Sequence, residues 1–331
     1  MPKDKSILIT GGTGTFGKAF VELLLGESNV FKSILIFSRD EFKQQEMRQL
    51  YPVKKFPQVR FVLGDVRDAE SLKRAFKGVD VVIHAAALKQ VGTAEANPSE
   101  FAKTNIQGTE NVIWAADECG VEKVILLSTD KAVNPVGMYG ATKLCAEKLF
   151  LEANSFSETA FSVIRYGNII GSRGSVLDYF LLNKDQSTIA ITHEDMTRFG
   201  GNAHKLAHIV LDNLTEMVGG EILVPKLPAF KLIDLARVVN PHFSFETKGI
   251  PHGERLHELL ISDTEAYEKI ETKDFYILVS PFWKGNLHEY LLENQAMLLP
   301  KDFSFTTENC EQFLSEEELG ELADVLQISL I

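Results

Sequence analysis

Short apolar runs recur through the first half of the chain, each ended by small or polar residues: Ser6–Thr10, Ser33–Ser38, Val59–Gly64, Val79–His84, Lys123–Ser128 and Phe161–Tyr166. Between them lie stretches with helical spacing, among them Lys18–Leu25, Ala69–Phe76, Asn97–Glu118 and Tyr139–Asn154. Apolar strands alternating with helices predict an α/β fold built on a doubly wound parallel sheet. After Tyr166 the pattern loses regularity, and Gly171, Gly174, Gly200, Gly201, Gly219 and Gly220 punctuate it. The expected organisation is a core over residues 1–170, then a smaller lobe over 171–280 with some elements returning to the core. Residues 281–331 form a C-terminal extension whose role the pattern does not reveal. In that extension Ser315-Glu316-Glu317-Glu318-Leu319 reads as a capped acidic helix start.

Composition narrows the class. With 331 residues and 45% hydrophobic content the chain can bury a real core, and a formal net charge of −12 argues against a nucleic-acid or anionic-membrane surface. No apolar run approaches the length of a membrane span. The amino-terminal Met1–Lys5 leads straight into a strand-like run without the features of a signal peptide, so a cytoplasmic protein is expected. Cys119, Cys145 and Cys310 are odd in number and widely spaced, as reduced packing thiols would be. His204 and His208 are spaced like two ligands on one helix face, but no third ligand accompanies them, and no metal is expected.

The chemistry begins at Thr10-Gly11-Gly12-Thr13-Gly14-Thr15-Phe16-Gly17, placed between the first strand and the first helix. Glycines there let the backbone turn tightly and approach a pyrophosphate, and the helix's free N–H groups face the anion. This predicts a Rossmann-type dinucleotide site with Gly11, Thr13, Gly14, Thr15, Phe16 and Gly17 against the cofactor. At the second strand tip, Ser38, Arg39 and Lys43 suit the 2′-phosphate of NADP. NAD is the weaker alternative, since Asp40 is close enough in sequence to turn back towards a ribose. Asp65 and Val66 follow the third strand as candidates for the adenine, while Asp68 reads as a helix N-cap. Ala85 and Ala86, after the fourth strand, leave room for the cofactor; Lys89 and Asn105 are placed to touch cofactor or substrate. His84 reads as a core histidine satisfied by hydrogen bonds.

The fifth strand ends in Ser128-Thr129-Asp130-Lys131, followed by Tyr139-Gly140-Ala141-Thr142-Lys143. Tyr139 and Lys143, four apart on a helix, point to one face. A cation beside the phenol would favour the phenolate, making Tyr139 the candidate base for a hydroxyl that loses hydride, with Lys143 as its partner.

Gly11–Gly17, Ser128–Lys131, Tyr139–Lys143 and Arg165-Tyr166-Gly167-Asn168 resemble the extended short-chain dehydrogenases that act on nucleotide sugars. Ser38-Arg39-Asp40-Glu41, Gly64–Asp68, Ala85–Lys89, Ser128–Ala132, Gly171–Val176 and Met196-Thr197-Arg198-Phe199 more narrowly resemble the inverting UDP-N-acetylglucosamine 4,6-dehydratases of pseudaminic acid synthesis. The resemblance spans roughly residues 5 to 260. It implies a hydro-lyase that makes a UDP-4-keto-6-deoxy-hexosamine for surface glycan or flagellin sugar synthesis; the helical stretches Asn97–Glu118 and Tyr139–Asn154 are the expected means of pairing with a second subunit, as a helical bundle in a homo-oligomer. Tyr139 takes the C4 hydroxyl proton, with Lys143 and Thr129 beside it. Lys131 removes the C5 proton if burial and Lys143 lower its pKa, and Asp130 protonates the departing C6 hydroxyl if its own pKa is raised. Lys89, Lys131, Asn168, Arg173, Met196, Arg198 and Arg255 are the implied substrate contacts.

The chain departs from that family in two places. Gly200-Gly201 stand where a bulky residue and a helix-starting Thr or Ser are usual, a change expected to loosen the lobe's edge. Pro251 stands where the family carries Arg, leaving Arg255 to substitute. The alternatives are a nucleotide-sugar epimerase or reductase of the same family, or a non-catalytic NADP-binding scaffold.

Overall fold

The computed structural model describes residues 4–26 and 31–327; Met1–Lys3 of the amino-terminal stretch and the last four positions of the C-terminal extension lie outside the described residues. Six parallel strands form its centre: β1 (Ser6–Thr10), β2 (Ser33–Ser38), β3 (Val59–Leu63), β4 (Val81–His84), β5 (Lys123–Thr129) and β6 (Ala160–Tyr166), in the order β6-β5-β4-β1-β2-β3. Continuous β-branched and leucine runs suit strands covered on both faces, and Ile7, Ile9, Val82, Ile125 and Val163 are fully buried. The winding reverses between β1 and β4. Ligands bind outside the carboxyl ends of the strands at such a switch point.

The second half both adds a lobe and completes the sheet. Next along the chain come β7 (Asn168–Ile169), β8 (Thr188–Ile191), β9 (Thr197–Gly201), β10 (Glu221–Pro225), β11 (Ala229–Lys231), β12 (Ser244–Thr247) and β13 (Leu259–Ile261). The last strands are β14 (Glu268–Glu271), β15 (Phe275–Val279), β16 (Met297–Leu298) and β17 (Phe305–Thr306). β10 joins β6 in parallel, and β15, β14 and β16 extend the edge antiparallel to give ten strands. The lobe has its own small sheets, β11-β9-β7 and β12-β8, around an apolar cluster that includes Ile170, Leu177, Phe180, Phe230 and Leu235.

The C-terminal extension is attached to both core and lobe. β16 lengthens the main sheet, β17 pairs with β13, and Leu319 of the helix Glu316–Gln327 is buried in the lobe's cluster. That helix opens with a reciprocal cap: Ser315 N donates to Glu318 Oε2 (2.8 Å), and Glu318 N donates to Ser315 Oγ (3.2 Å).

Gly200 and Gly201 do not loosen the lobe. Both are buried within β9, where a Cβ on Gly200 would meet the Phe230 ring at 2.7 Å and one on Gly201 would strike the Tyr166 hydroxyl. Missing side chains at these positions make room for two aromatic rings packed from neighbouring strands. Cys145, expected to pack, is exposed.

Candidate active site

The glycine turn has the shape its spacing predicts. Gly11 has φ +66°, and a Cβ there would lie 2.8 Å from the Ala86 backbone; a Cβ on Gly17 would collide with Gly12. The helix begins at Thr15, so its first-turn N–H groups lack intrahelical acceptors. This cradle fits a dinucleotide pyrophosphate. The Phe16 side chain, by contrast, stacks on Phe20 in the core, leaving only its backbone to serve a ligand. Thr13 Oγ1 donates to Ser38 Oγ (3.0 Å), which also accepts from Asp40 N (3.2 Å), tying the turn to the β2 tip.

At that tip Asp40 does not turn back towards a ribose. It caps the next helix by accepting from Lys43 N (3.0 Å) and pairs with Lys43 Nζ (2.9 Å); these contacts, with Arg173 nearby, hold its carboxyl below the usual range. Arg39 stays exposed, 3.8 Å from Asp65. Asp65 itself is gripped by Arg67 at 2.6 Å, which pulls its pKa down and competes with any adenine amino group. Val66 is packed into the core against Gly108 rather than lying open to a ring. Arg173, expected at the substrate, is exposed and close enough to Asp40 to act on its carboxyl.

Asn105 works on the protein. From a π-helical segment, Ala102–Gln107, it accepts from Leu88 N (2.8 Å) and donates to Leu88 O (2.9 Å) and Thr142 Oγ1 (3.0 Å). It therefore fixes the loop after β4, which carries Ala85, Ala86 and Lys89, instead of reaching a ligand. Lys89 Nζ donates to Ser172 Oγ (2.9 Å), linking core and lobe across the cleft. His84 is satisfied by Thr10 (2.7 Å) and Thr109 (3.3 Å), and burial, aided by Lys143, pushes its pKa down to about 3.

The polar residues after β5 converge with Tyr139. Asp130 is 1% exposed; Oδ1 accepts from Thr129 Oγ1 (2.8 Å) and Lys131 Nζ (3.2 Å), whereas Oδ2 is buried without a partner. Burial raises this carboxyl's pKa, and Glu258 adds to the rise against the opposing charge of Lys131. A neutral acid with Oδ1 already accepting twice carries its proton on Oδ2. The loop is held by Asn134, at φ +42°, whose side chain donates to Ser262 Oγ (2.7 Å).

Two expected pKa effects are reversed. Burial lowers the Lys131 amine, but Asp130 and Glu258 (Oε1 3.1 Å from Nζ) overcome it and hold the ammonium above its ordinary range. Lys143 plays no part in that balance. Burial lifts the Tyr139 phenol to about 12, and the cation pulling the other way is Lys131, helped by the Thr129 hydroxyl. Lys143 instead donates to Leu127 O (2.7 Å), and burial brings its own pKa down to about 8, with Glu147 opposing.

The lobe completes the cleft, which is lined by Lys131, Gly137, Tyr139, Gly253, Arg255 and Glu258 among others. Arg255 Nη1 is buried there without a partner, and Asn168 Oδ1, on β7, is likewise buried without one. Arg198 is otherwise engaged: Nη1 donates to Thr197 O (2.8 Å), Arg255 O (3.2 Å) and Leu256 O (3.3 Å), and Nε lies 3.4 Å from Glu258 Oε1. It ties β9 to the 254–258 segment instead of facing a phosphate. Met196, 1% exposed, belongs to the lobe's apolar core and is closed to substrate. Glu258, missed from sequence, has no local motif to mark it; its partner Lys131 is distant in the chain and adjacent only in space.

A dinucleotide cradle at the switch point, with Tyr139 and Lys143 on one helix beside it, defines a nucleotide-cofactor-dependent short-chain dehydrogenase fold of the extended type. The family model described as "Polysaccharide biosynthesis protein" matches residues 7–280. The chain is 44% identical over 328 residues to a UDP-N-acetylglucosamine 4,6-dehydratase (inverting) from Campylobacter jejuni, covering 96% of this chain and 97% of that one. It is 38% identical to a UDP-glucose 4-epimerase from Rickettsia canadensis, over 96% and 95% of the two chains. The solved structure of Pen from Bacillus thuringiensis superposes with a TM-score of 0.86 at 34% identity, covering 99% of each chain. The chain belongs to this polysaccharide biosynthesis family, within the extended short-chain dehydrogenases.

Proposed function

We propose that the protein is a UDP-N-acetylglucosamine 4,6-dehydratase that inverts C5. The observation that carries this is the Asp130-Lys131 pair beside Tyr139, with Asp130 Oδ2 buried and unpartnered: a C4 epimerase needs no acid and base for C5 and C6. Bound NADP would supply the hydride acceptor and donor for C4 and C6, held by the Gly11–Gly17 turn, Ser38, Arg39, Ala85 and Ala86. Tyr139 takes the C4 hydroxyl proton, Lys131 as the amine takes the C5 proton, and Asp130 gives the Oδ2 proton to the C6 hydroxyl, which leaves as water; as hydride returns to C6, C5 regains a proton on the opposite face, which inverts it. Asn168 and Arg255, with their free buried polar atoms, suit the UDP. Trp114 and Phe156 stack at 5.2 Å while each remains about half exposed, which supports a homo-oligomer formed through these helices.

Incubation with UDP-N-acetylglucosamine in deuterium oxide tests the reading. Loss of water with deuterium at C5 is expected, and Lys131→Ala blocks that incorporation while cofactor binding persists. A product epimerised at C4 with no water lost would favour the epimerase instead. The preference for NADP has its own test: Arg39→Ala weakens NADP about tenfold or more, as loss of a charge-assisted contact should, and leaves NAD unchanged. Equal effects on both cofactors would remove Arg39 from the 2′-phosphate.

A further inference from the structure

Lys131 is surrounded on several sides. Its own loop supplies Asp130, the helix after it Tyr139, β9 Arg198, and the lobe segment before β13 supplies Arg255 and Glu258. Among these, Glu258 is 2% exposed, and its Oε1 lies 3.1 Å from Lys131 Nζ and 3.4 Å from Arg198 Nε. Its backbone is pinned on both sides by the C-terminal extension: Glu258 N donates to Thr307 Oγ1 (3.0 Å), and Thr307 N donates to Glu258 O (2.9 Å). Thr307 is fully buried and accepts from Thr197 Oγ1 (2.6 Å). A carboxylate this constrained has little freedom to follow a mobile amine, so the amine must come to it.

We propose that Glu258 is the positioning residue for Lys131: fixed by Thr307 and Arg198, its carboxylate holds Nζ between itself and Asp130 and so sets both the place and the charge of the amine. The inference rests on the reading of Lys131 as the C5 base. An amine 3.1 Å from the Glu258 carboxylate, with Asp130 Oδ1 at 3.2 Å as a further acceptor, is favoured as ammonium, and an ammonium cannot accept a proton. Glu258 would thereby determine the pH at which the base becomes available. Burial pushes the Glu258 carboxyl up, but Lys131 first, then Arg198 and Arg255, hold it below the ordinary range and keep it ionised. The role given to the C-terminal extension is then to carry Thr307 against the backbone of Glu258.

The test uses the full chain with its bound cofactor and lysine labelled with ¹³C at Cε, the Lys131 resonance being assigned with Lys131→Ala. Wild-type Lys131 is expected to titrate above the ordinary lysine midpoint of about 10.4, showing no transition between about pH 6 and pH 9. Glu258→Gln keeps an acceptor but removes the charge, and should lower the midpoint by about one unit or more; Glu258→Asp should restore part of it. In deuterium oxide the same Gln variant should reach half-maximal C5 exchange at lower pH, with a smaller plateau and little change in KM. An unmoved Lys131 midpoint in folded Glu258→Gln would overturn the proposal. So would a wild-type midpoint below the ordinary lysine value, a result that needs no folded Glu258 variant. If wild type exchanges no C5 proton, the functional reading falls, while the lysine titration still decides what Glu258 does.

Discussion

Tyr139→Phe should reduce turnover by about 10²–10⁴-fold, the usual worth of a positioned acid or base, while NADP and UDP-sugar affinities stay close to wild type. The substitution removes one oxygen from a side chain whose ring remains packed edge-on against Phe101, at a centroid distance of 6.5 Å, so the fold has little reason to respond. The size of the effect follows from the site's electrostatics. With its pKa lifted to about 12 by burial, the phenol is neutral at physiological pH and accepts a proton only where nearby cations stabilise the phenolate. Lys131 is the cation acting on it, and the Thr129 hydroxyl acts in the same direction. Single-turnover assays with separate binding measurements check the result: a variant that keeps wild-type turnover would remove Tyr139 from proton transfer, and one that loses binding instead would make it a substrate contact.

The part of this site readable in the chain is the part whose geometry is local. The glycine turn, the Asp130-Lys131 step and the i, i+4 pair of Tyr139 and Lys143 follow from strand-to-helix spacing, so each lies where its spacing predicts. Strand ends were legible because buried parallel strands are continuous apolar runs that stop abruptly at polar ligand-facing residues. What failed was whatever depended on neighbours distant in sequence. The reading of Lys131 as an amine lowered by burial and Lys143 has the burial right, but Asp130 and Glu258 outweigh it and decide the charge. Arg198 looked like a phosphate ligand until the carbonyls of 255 and 256 claimed its guanidinium. Gly200 and Gly201 looked like a loss of packing because Phe230 and Tyr166, which fill the space, come from other strands. The two-residue strands β16 and β17 are too short for any period to show.

The largest stability effect is expected at Arg165, part of the family-like Arg-Tyr-Gly-Asn stretch yet far from being a ligand. Its side chain is fully buried. The guanidinium meets Glu147 at 2.7 and 3.1 Å, Glu265 at 2.9 and 3.0 Å, and donates to Leu260 O at 2.9 Å; Ser128 Oγ donates to Glu147 Oε1 at 2.5 Å. One residue of β6 thus fastens the strand that leads into Asp130 and Lys131, the helix bearing Tyr139 and Lys143, and the segment after β13. Arg165→Leu would leave two carboxylates facing each other with their shared cation gone, and should destabilise the fold by about 3–5 kcal/mol, read as a lower urea midpoint. The triple replacement Arg165→Met, Glu147→Leu and Glu265→Leu separates two explanations. If the cost is the stranded charge, an apolar triad recovers most of the loss, since desolvating three ions is itself expensive. If recovery fails, the bidentate geometry is what aligns strand and helix. The triple variant should then also misplace Lys143, whose Nζ reaches Leu127 O from the same helix four residues before Glu147. A small effect from Arg165→Leu alone would mean that water or a neighbouring cation reaches Glu147, and that the three elements are held by their apolar contacts.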